Sequence, residues 1–345
     1  MPTSQPIIYL PDNLASWPWP RSLNPHYEEC KADSAAWLES FKAFDPKAQS
    51  AFNLCDFTNN RTGCDLMNMF FIVDEYTDIS NAHDARLIVD AVMDSLLHPD
   101  RVLPDDESPD RNTLAGRMFR FWERGFPKAS ASSKRRFLAT FSTYLESVVE
   151  QAADRDRSHI RDVDSYLENR RENIGAWPSF ALLELDTDIP DEIMNRPEMY
   201  SLHIAAIDML ILGNDMCSYN VEQSKGDDRH NIVTILMHQK NIGVQDAMYE
   251  LAKIHAAAEE RFHTARAAVM SWPELDTQLT EYVDGLGNWV RANDSWSFES
   301  QRYFGTAGVE IERTRQVRLL PKHSARFMAP PPRPVFPAKV AVAVA

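Results

Sequence analysis

The chain has 345 residues, 36 basic against 51 acidic side chains for a net charge of −15, 44% apolar residues and 25% charged ones. That balance is globular rather than disordered, and the acidic excess argues against a protein that grips nucleic acid by its phosphates. Only 11 glycines occur, under half the usual share of roughly 7%, which disfavours turn-rich sheet folds and phosphate-cradling glycine loops and leans towards helices.

The opening MPTSQPIIYLPDN lacks the basic-then-apolar layout of a secretory signal. No apolar run reaches the roughly 18 residues of a membrane span. Cys30, Cys55, Cys64 and Cys217 show no CxxC spacing, so neither a zinc site nor a disulfide framework is suggested. A cytoplasmic protein with no nucleic-acid partner and no membrane span is expected.

Residues 1–25 are rich in proline and aromatics and read as an ordered strap. Helical spacing begins near Tyr27. Ala36, Trp37, Phe41 and Phe44 recur at three- and four-residue steps, as do Met67, Phe70, Phe71 and Asp74. Further stripes run through Phe137 to Val149, Leu202 to Tyr219, Ile232 to Met237, Ala247 to Phe262 and Tyr282 to Phe304. Breaks fall at His98 to Arg111, Gly125 to Ser133, Ile189 to Pro197, Lys240 to Gly243 and Trp272 to Asp276. The pattern predicts about ten helices in one compact all-α domain over residues 26–320. The proline-rich residues 321–345 are expected to be a disordered tail.

Four groups of residues carry chemistry. Asp74 and Asp78, in DEYTD, are four apart, so both carboxylates leave one helical face. Their repulsion is relieved if a divalent cation sits between them, and carboxylate oxygens suit Mg²⁺. The plainer reading is an acidic, solvated helix end. Asn214, Ser218 and Glu222 follow an apolar run at i, i+4 and i+8, placing an amide oxygen, a hydroxyl and a carboxylate along one stripe, with Lys225 within reach of a phosphate. Taken alone, that too reads as a polar helix face. Arg302 and Tyr303 end an aromatic helix in which Trp289, Trp296 and Tyr303 are seven apart; the arginine fork suits a phosphate. Most of these rings should pack in the core, with Phe70, Phe71, Trp289 and Trp296 as candidates for a cavity wall, where ring faces stabilise a cation. Lastly, Arg170 and Arg171 stand among glutamates, as surface ion pairs often do, yet Gly175 and Pro178 just beyond them signal a helix break.

DEYTD at 74–78, NDxxSxxxE at 214–222 and RY at 302–303, in that order, resemble class I terpene cyclases. Segments such as CDLMNMFFIVDEYTD, SYLENRRENIGAWPSFALLELD and LGNDMCSYNVEQ look like fungal, basidiomycete-type sesquiterpene synthases, the protoilludene synthase branch in particular, over roughly residues 7 to 320. The resemblance implies a class I helical bundle that ionises farnesyl diphosphate with three Mg²⁺ ions. Asp74 and Asp78 would hold two ions, and Asn214, Ser218 and Glu222 the third. Lys225, Arg302 and Tyr303 would bind diphosphate. Arg171 would sense it, with the Gly175 carbonyl helping to trigger ionisation. Closure between C1 and C11 through a humulyl cation would lead to a protoilludene-type hydrocarbon, from a monomer or homodimer. One departure stands out: relatives carry a longer stretch with a Tyr-Pro pair between CDF and RxGCDLMN, where this chain has only Thr58-Asn59-Asn60. That shortening bears on the pocket entrance or wall, and water capture to an acyclic alcohol (nerolidol from farnesyl diphosphate or linalool from geranyl diphosphate) stays open as an alternative outcome.

Rival readings fit less well. A chain-elongating prenyltransferase needs a second aspartate-rich motif, which Asp227-Asp228 does not supply, and no DxDD motif marks a proton-initiated cyclase. Asp186-Thr187-Asp188 reads as an acidic connector rather than a glycosyltransferase DxD. A degenerate cyclase serving as a helical binding protein would have no reason to keep Asp74, Asn214, Ser218, Glu222 and Arg302 together.

Overall fold

The computed structural model describes residues 5–39, 61–77, 80–98, 122, 125–157 and 159–322. Asp78, the Thr58–Asn60 segment and all but the first two residues of the expected tail lie outside them. The helices are α1 (Tyr27–Glu39), α2 (Arg61–Thr77), α3 (Ala82–Leu97), α4 (Ala131–Asp156), α5 (Val163–Asn173), α6 (Ala176–Phe180), α7 (Asp191–Met194), α8 (Pro197–Lys225), α9 (Ile232–Lys240), α10 (Val244–Val269), α11 (Thr277–Glu299), α12 (Gln301–Phe304) and α13 (Gly308–Thr314). Among the described residues the only strands are β1 (Ile7–Tyr9) and β2 (Gln316–Arg318), an antiparallel pair with Ile8 opposite Val317. The all-α expectation is met, and among the described residues no helix is long and apolar enough to cross a membrane.

The helices start where short polar side chains can take up orphan amides. Asn81, Ser130, Asp162 and Asp276 each accept the N–H three residues on, at the starts of α3, α4, α5 and α11. Proline opens α8 at its first turn, where no N–H is needed. The end of α8 falls at Gly226, where the amides of Gly226 and Asp227 both bond to the Glu222 carbonyl.

Two apolar cores form. One gathers around α8, which is buried along most of its length and packs chiefly on α10 and α11. The other joins α2, α3 and α4 through Leu66, Met69, Ile72, Val92, Phe137 and Phe141. Helix α2 therefore has two apolar faces: Leu66, Met69 and Val73 enter the second core, while Met67, Phe70, Phe71 and Asp74 face the gap between the cores. Trp289 of α11 touches both cores and spans that gap.

The Tyr282–Phe304 stripe is not one helix. Ser300 is extended (φ −74°, ψ 160°), so α11 stops at Glu299 and α12 restarts at Gln301. The Ser300 N–H still bonds to the Trp296 carbonyl and closes the last turn of α11. Trp296 and Tyr303 still meet edge to face at 5.7 Å across the break.

The strap is tied to the bundle by polar and aromatic contacts together. The Arg291 guanidinium donates to the carbonyls of Leu14, Trp17 and Trp19. The Trp17 indole N–H donates to the Gly287 carbonyl at 3.0 Å. Trp17 and Trp19 pack on Phe262 and His263. Gly287 permits this approach, because a Cβ there would overlap the Trp19 ring. Gly287→Ala should lower stability by about 1–3 kcal/mol through overpacking, seen as a lower urea midpoint. An unchanged midpoint would mean that the strap is not held at this point.

Candidate active site

Between the two cores lies a cavity of about 910 Å³. Apolar and aromatic side chains line it, among them Phe70, Tyr144, Phe180, Leu210 and Trp289, together with a charged group of Asp74, Arg155, Arg170, Glu222, Asp227, Arg229 and Arg302. Phe70 is held edge-on by Tyr144 at 5.0 Å, and Phe71 lies 6.0 Å from Trp296. All four rings expected in a cavity wall, Phe70, Phe71, Trp289 and Trp296, line it.

The i, i+4, i+8 stripe on α8 faces the same space. Asn214, Ser218 and Glu222 all line the cavity, opposite Asp74 on α2. The Asn214 amide donates to the Tyr303 hydroxyl at 2.8 Å and accepts from Arg170 at 3.1 Å. Burial pushes the Glu222 carboxyl up to about 7, with the nearby Asp215 adding to the shift. The Tyr303 hydroxyl is likewise pushed up to about 12 by burial. The Arg302 guanidinium comes within 3.8 Å of Asp74 and lies over the Phe71 ring at 4.3 Å.

These residues fit a hard divalent cation. The donors are amide, hydroxyl and carboxylate oxygens, the set that suits Mg²⁺ rather than softer metals. Among the described residues no three His, Cys, Asp or Glu side chains gather closely enough to hold an ion by themselves. The protein thus offers a partial shell, of the kind that substrate phosphate oxygens complete. Arg170 points the same way. Its Nε forms an ion pair with buried Asp215 at 4.0 Å, while its terminal nitrogens reach Asn173 and Asn214 at 2.7 and 3.1 Å, which sets a guanidinium charge beside the oxygen donors, where an anionic group is favoured.

Three expected residues sit differently. Arg171 does not face the cavity. Its guanidinium forms a two-point pair with buried Asp208, which Arg261 also contacts. Arg170 lines the cavity instead and is braced by Asn173 at 2.7 Å. Adjacent helical residues point about 100° apart, so only one of the pair can turn inwards. Buried Tyr166 lies one turn before Arg170 and buried Leu167 one turn before Arg171, so the spacing within α5 does not separate the two; the partner Asp208 does. Gly175 makes the predicted break, with φ 75° between α5 and α6. Its carbonyl, however, accepts from the Ser179 hydroxyl at 2.7 Å and is used within the turn. The glycine is needed for the left-handed backbone, and a Cβ would also press on the Phe70 ring at 3.2 Å. Lys225 is exposed and outside the described cavity wall.

Sequence reasoning missed Arg155, Asp227, Arg229 and Asn231. Arg155 donates to the Thr77 carbonyl at the end of α2, and Asn231 donates to Glu222 at 3.0 Å. Spacing reveals residues on one helix. It is silent about a side chain that reaches in from another element.

Residues 65–261 match the family model described as terpene synthase family 2, C-terminal metal binding. A relative from Stereum hirsutum named Delta(6)-protoilludene synthase is 49% identical over 345 residues, covering 95% of this chain and 92% of its own. One of the same name from Armillaria ostoyae is 49% identical over 335 residues, covering 94% and 96%. Among solved structures, the linalool/nerolidol synthase from Streptomyces clavuligerus in complex with 2-fluorogeranyl diphosphate is similar with a TM-score of 0.72 at 18% identity, covering 84% of this chain and 99% of that one; at such identity the likeness concerns the fold. The chain belongs to the terpene synthase family, with that family's all-α class I architecture.

Proposed function

We propose that this protein is a Mg²⁺-dependent sesquiterpene synthase that ionises farnesyl diphosphate and closes the chain between C1 and C11, towards a protoilludene-type hydrocarbon. The observation that carries the reading is an oxygen-donor stripe and an aspartate on facing helices, accompanied by arginines, lining an aromatic cavity. The names and near-50% identity of the relatives support the choice of product.

Asp74, with Asp78 beyond it, and the trio Asn214, Ser218 and Glu222 would hold three Mg²⁺ ions, whose charge stabilises the leaving diphosphate. The chain's own residues do the rest. Arg170 and Arg302 donate to the diphosphate oxygens as the C1–O bond pair departs with the leaving group. The Tyr303 hydroxyl, already hydrogen-bonded to Asn214, lies beside them. The allylic cation left behind faces Phe70, Trp289 and Trp296, whose ring faces attract positive charge. The apolar wall excludes water and folds the chain so that the C10–C11 π pair attacks C1, giving a humulyl cation. Further closure and loss of a proton end the sequence.

Purified protein incubated with farnesyl diphosphate should give a C15 tricyclic hydrocarbon by gas chromatography–mass spectrometry, and only when Mg²⁺ is present. Nerolidol as sole product would keep the ionisation site and discard the cyclisation. A folded protein that leaves the substrate untouched would overturn both.

Two mutant pairs test the assignments. Asp74→Ala and Glu222→Ala should each abolish turnover; activity surviving in either removes that residue from the metal set. Arg170→Gln should lower kcat by about a hundredfold or more, as loss of a transition-state donor does. Arg171→Gln should leave kcat within a few-fold and cost about 1–3 kcal/mol of stability, because Arg261 stays with Asp208. The reverse ranking would restore Arg171 as the diphosphate-facing arginine.

A further inference from the structure

Asn231 is fully buried in the turn between α8 and α9, and its side chain performs two separable tasks. Its Oδ1 accepts the Val233 N–H at 2.9 Å and so caps α9. Its Nδ2 reaches back to α8 and finds three oxygens there. They are the Asp215 carbonyl at 3.0 Å, the Ser218 hydroxyl at 3.3 Å and the Glu222 carboxylate at 3.0 Å. Two of the three belong to the stripe read above as metal-holding. The neighbouring contacts lock this arrangement: Asp215 accepts from the Ile232 N–H at 2.8 Å and from the Tyr166 hydroxyl at 2.5 Å.

An amide N–H cannot ligate a cation, so it can orient an oxygen without competing for the ion. An ionised carboxylate offers about four lone-pair sites, and the bond from Asn231 occupies one of them. A buried glutamate has several rotamers, and holding one of them in advance removes an entropy cost from ion binding. From this geometry we infer that Asn231 is a positioning residue: it fixes Glu222 and Ser218 in the orientation that receives Mg²⁺. The inference rests on the metal reading proposed above. Capping of α9 needs only Oδ1; the Nδ2 contacts are what the inference uses.

Two substitutions separate these tasks. Asn231→Ser keeps a capping oxygen, since serine caps helices about as well as asparagine, but loses the amide's reach. Asn231→Asp keeps both the shape and the cap and turns the donor into an acceptor facing Glu222. Full-length wild type and both variants would be titrated with MgCl₂ in the presence of inorganic diphosphate by calorimetry. The Mg²⁺ concentration for half-maximal turnover of farnesyl diphosphate would be measured alongside, with melting temperatures recorded in the absence of metal.

Both variants should show Mg²⁺ midpoints raised about tenfold or more, the usual effect of losing an outer partner of a ligand. Asn231→Ser should regain most of the wild-type kcat at high Mg²⁺, with its KM for farnesyl diphosphate unchanged there. A purely structural role would instead lower the melting temperature and resist rescue by Mg²⁺. Wild-type midpoints in either variant would overturn the inference while leaving the function intact. A wild-type chain with no Mg²⁺ response in either assay would overturn the metal reading, and the inference with it.

Discussion

The C-terminal third of α8 is polar yet buried, and the surrounding structure is arranged to satisfy it. Asp215, Ser218, Asn220, Gln223 and Ser224 are all buried there, and each would cost free energy without a partner. The partners come from four directions. Tyr166 arrives from α5, Asn231 and the Ile232 amide from the start of α9, and Tyr303 from α12. On another face Asn220, Gln223 and Ser224 bond to the backbone of Arg318, Leu320 and Pro321. One helix end thus fixes where the chain's last described residues lie and how the charged part of the cavity wall is framed.

The same helix is apolar upstream, from Leu202 to Leu212, and that change of character along one axis divides the cavity. Towards the apolar half the wall is hydrocarbon and aromatic. Towards the polar half it carries oxygens and guanidiniums. A diphosphate ester has the same polarity, so under the proposed function α8 and α2 would orient the substrate before any chemistry begins. The glycine-permitted break at 175 adds to this. It lets the chain turn from α5 into α6 against Phe70, so a wall ring is packed against the element that carries Arg170.

The α2 stripe and the α8 stripe were readable because each lies within one helix, where period alone fixes the shared face. Asp74, Asn214, Ser218 and Glu222 accordingly reach the cavity as expected. The aromatic stripe was readable in part: Trp296 and Tyr303 meet, but across a break at Ser300 that periodicity smooths over. For Arg170 and Arg171 the spacing offers two equal candidates. Only the position of Asp208, on a different helix, draws Arg171 away.

What the linear chain settled was therefore local: helix content, the polar and apolar faces of each helix, and the oxygen-donor and arginine types near the site. These follow from short-range sterics and period, which neighbouring residues dictate. What needed the folded molecule was every relation between elements: which arginine turns inwards, that the Gly175 carbonyl is spent on Ser179, and that Asn231 reaches Glu222 from beyond the helix end. Such contacts depend on how rigid helices dock, and docking is set by packing of whole faces and satisfaction of buried polar groups, to which no single spacing corresponds.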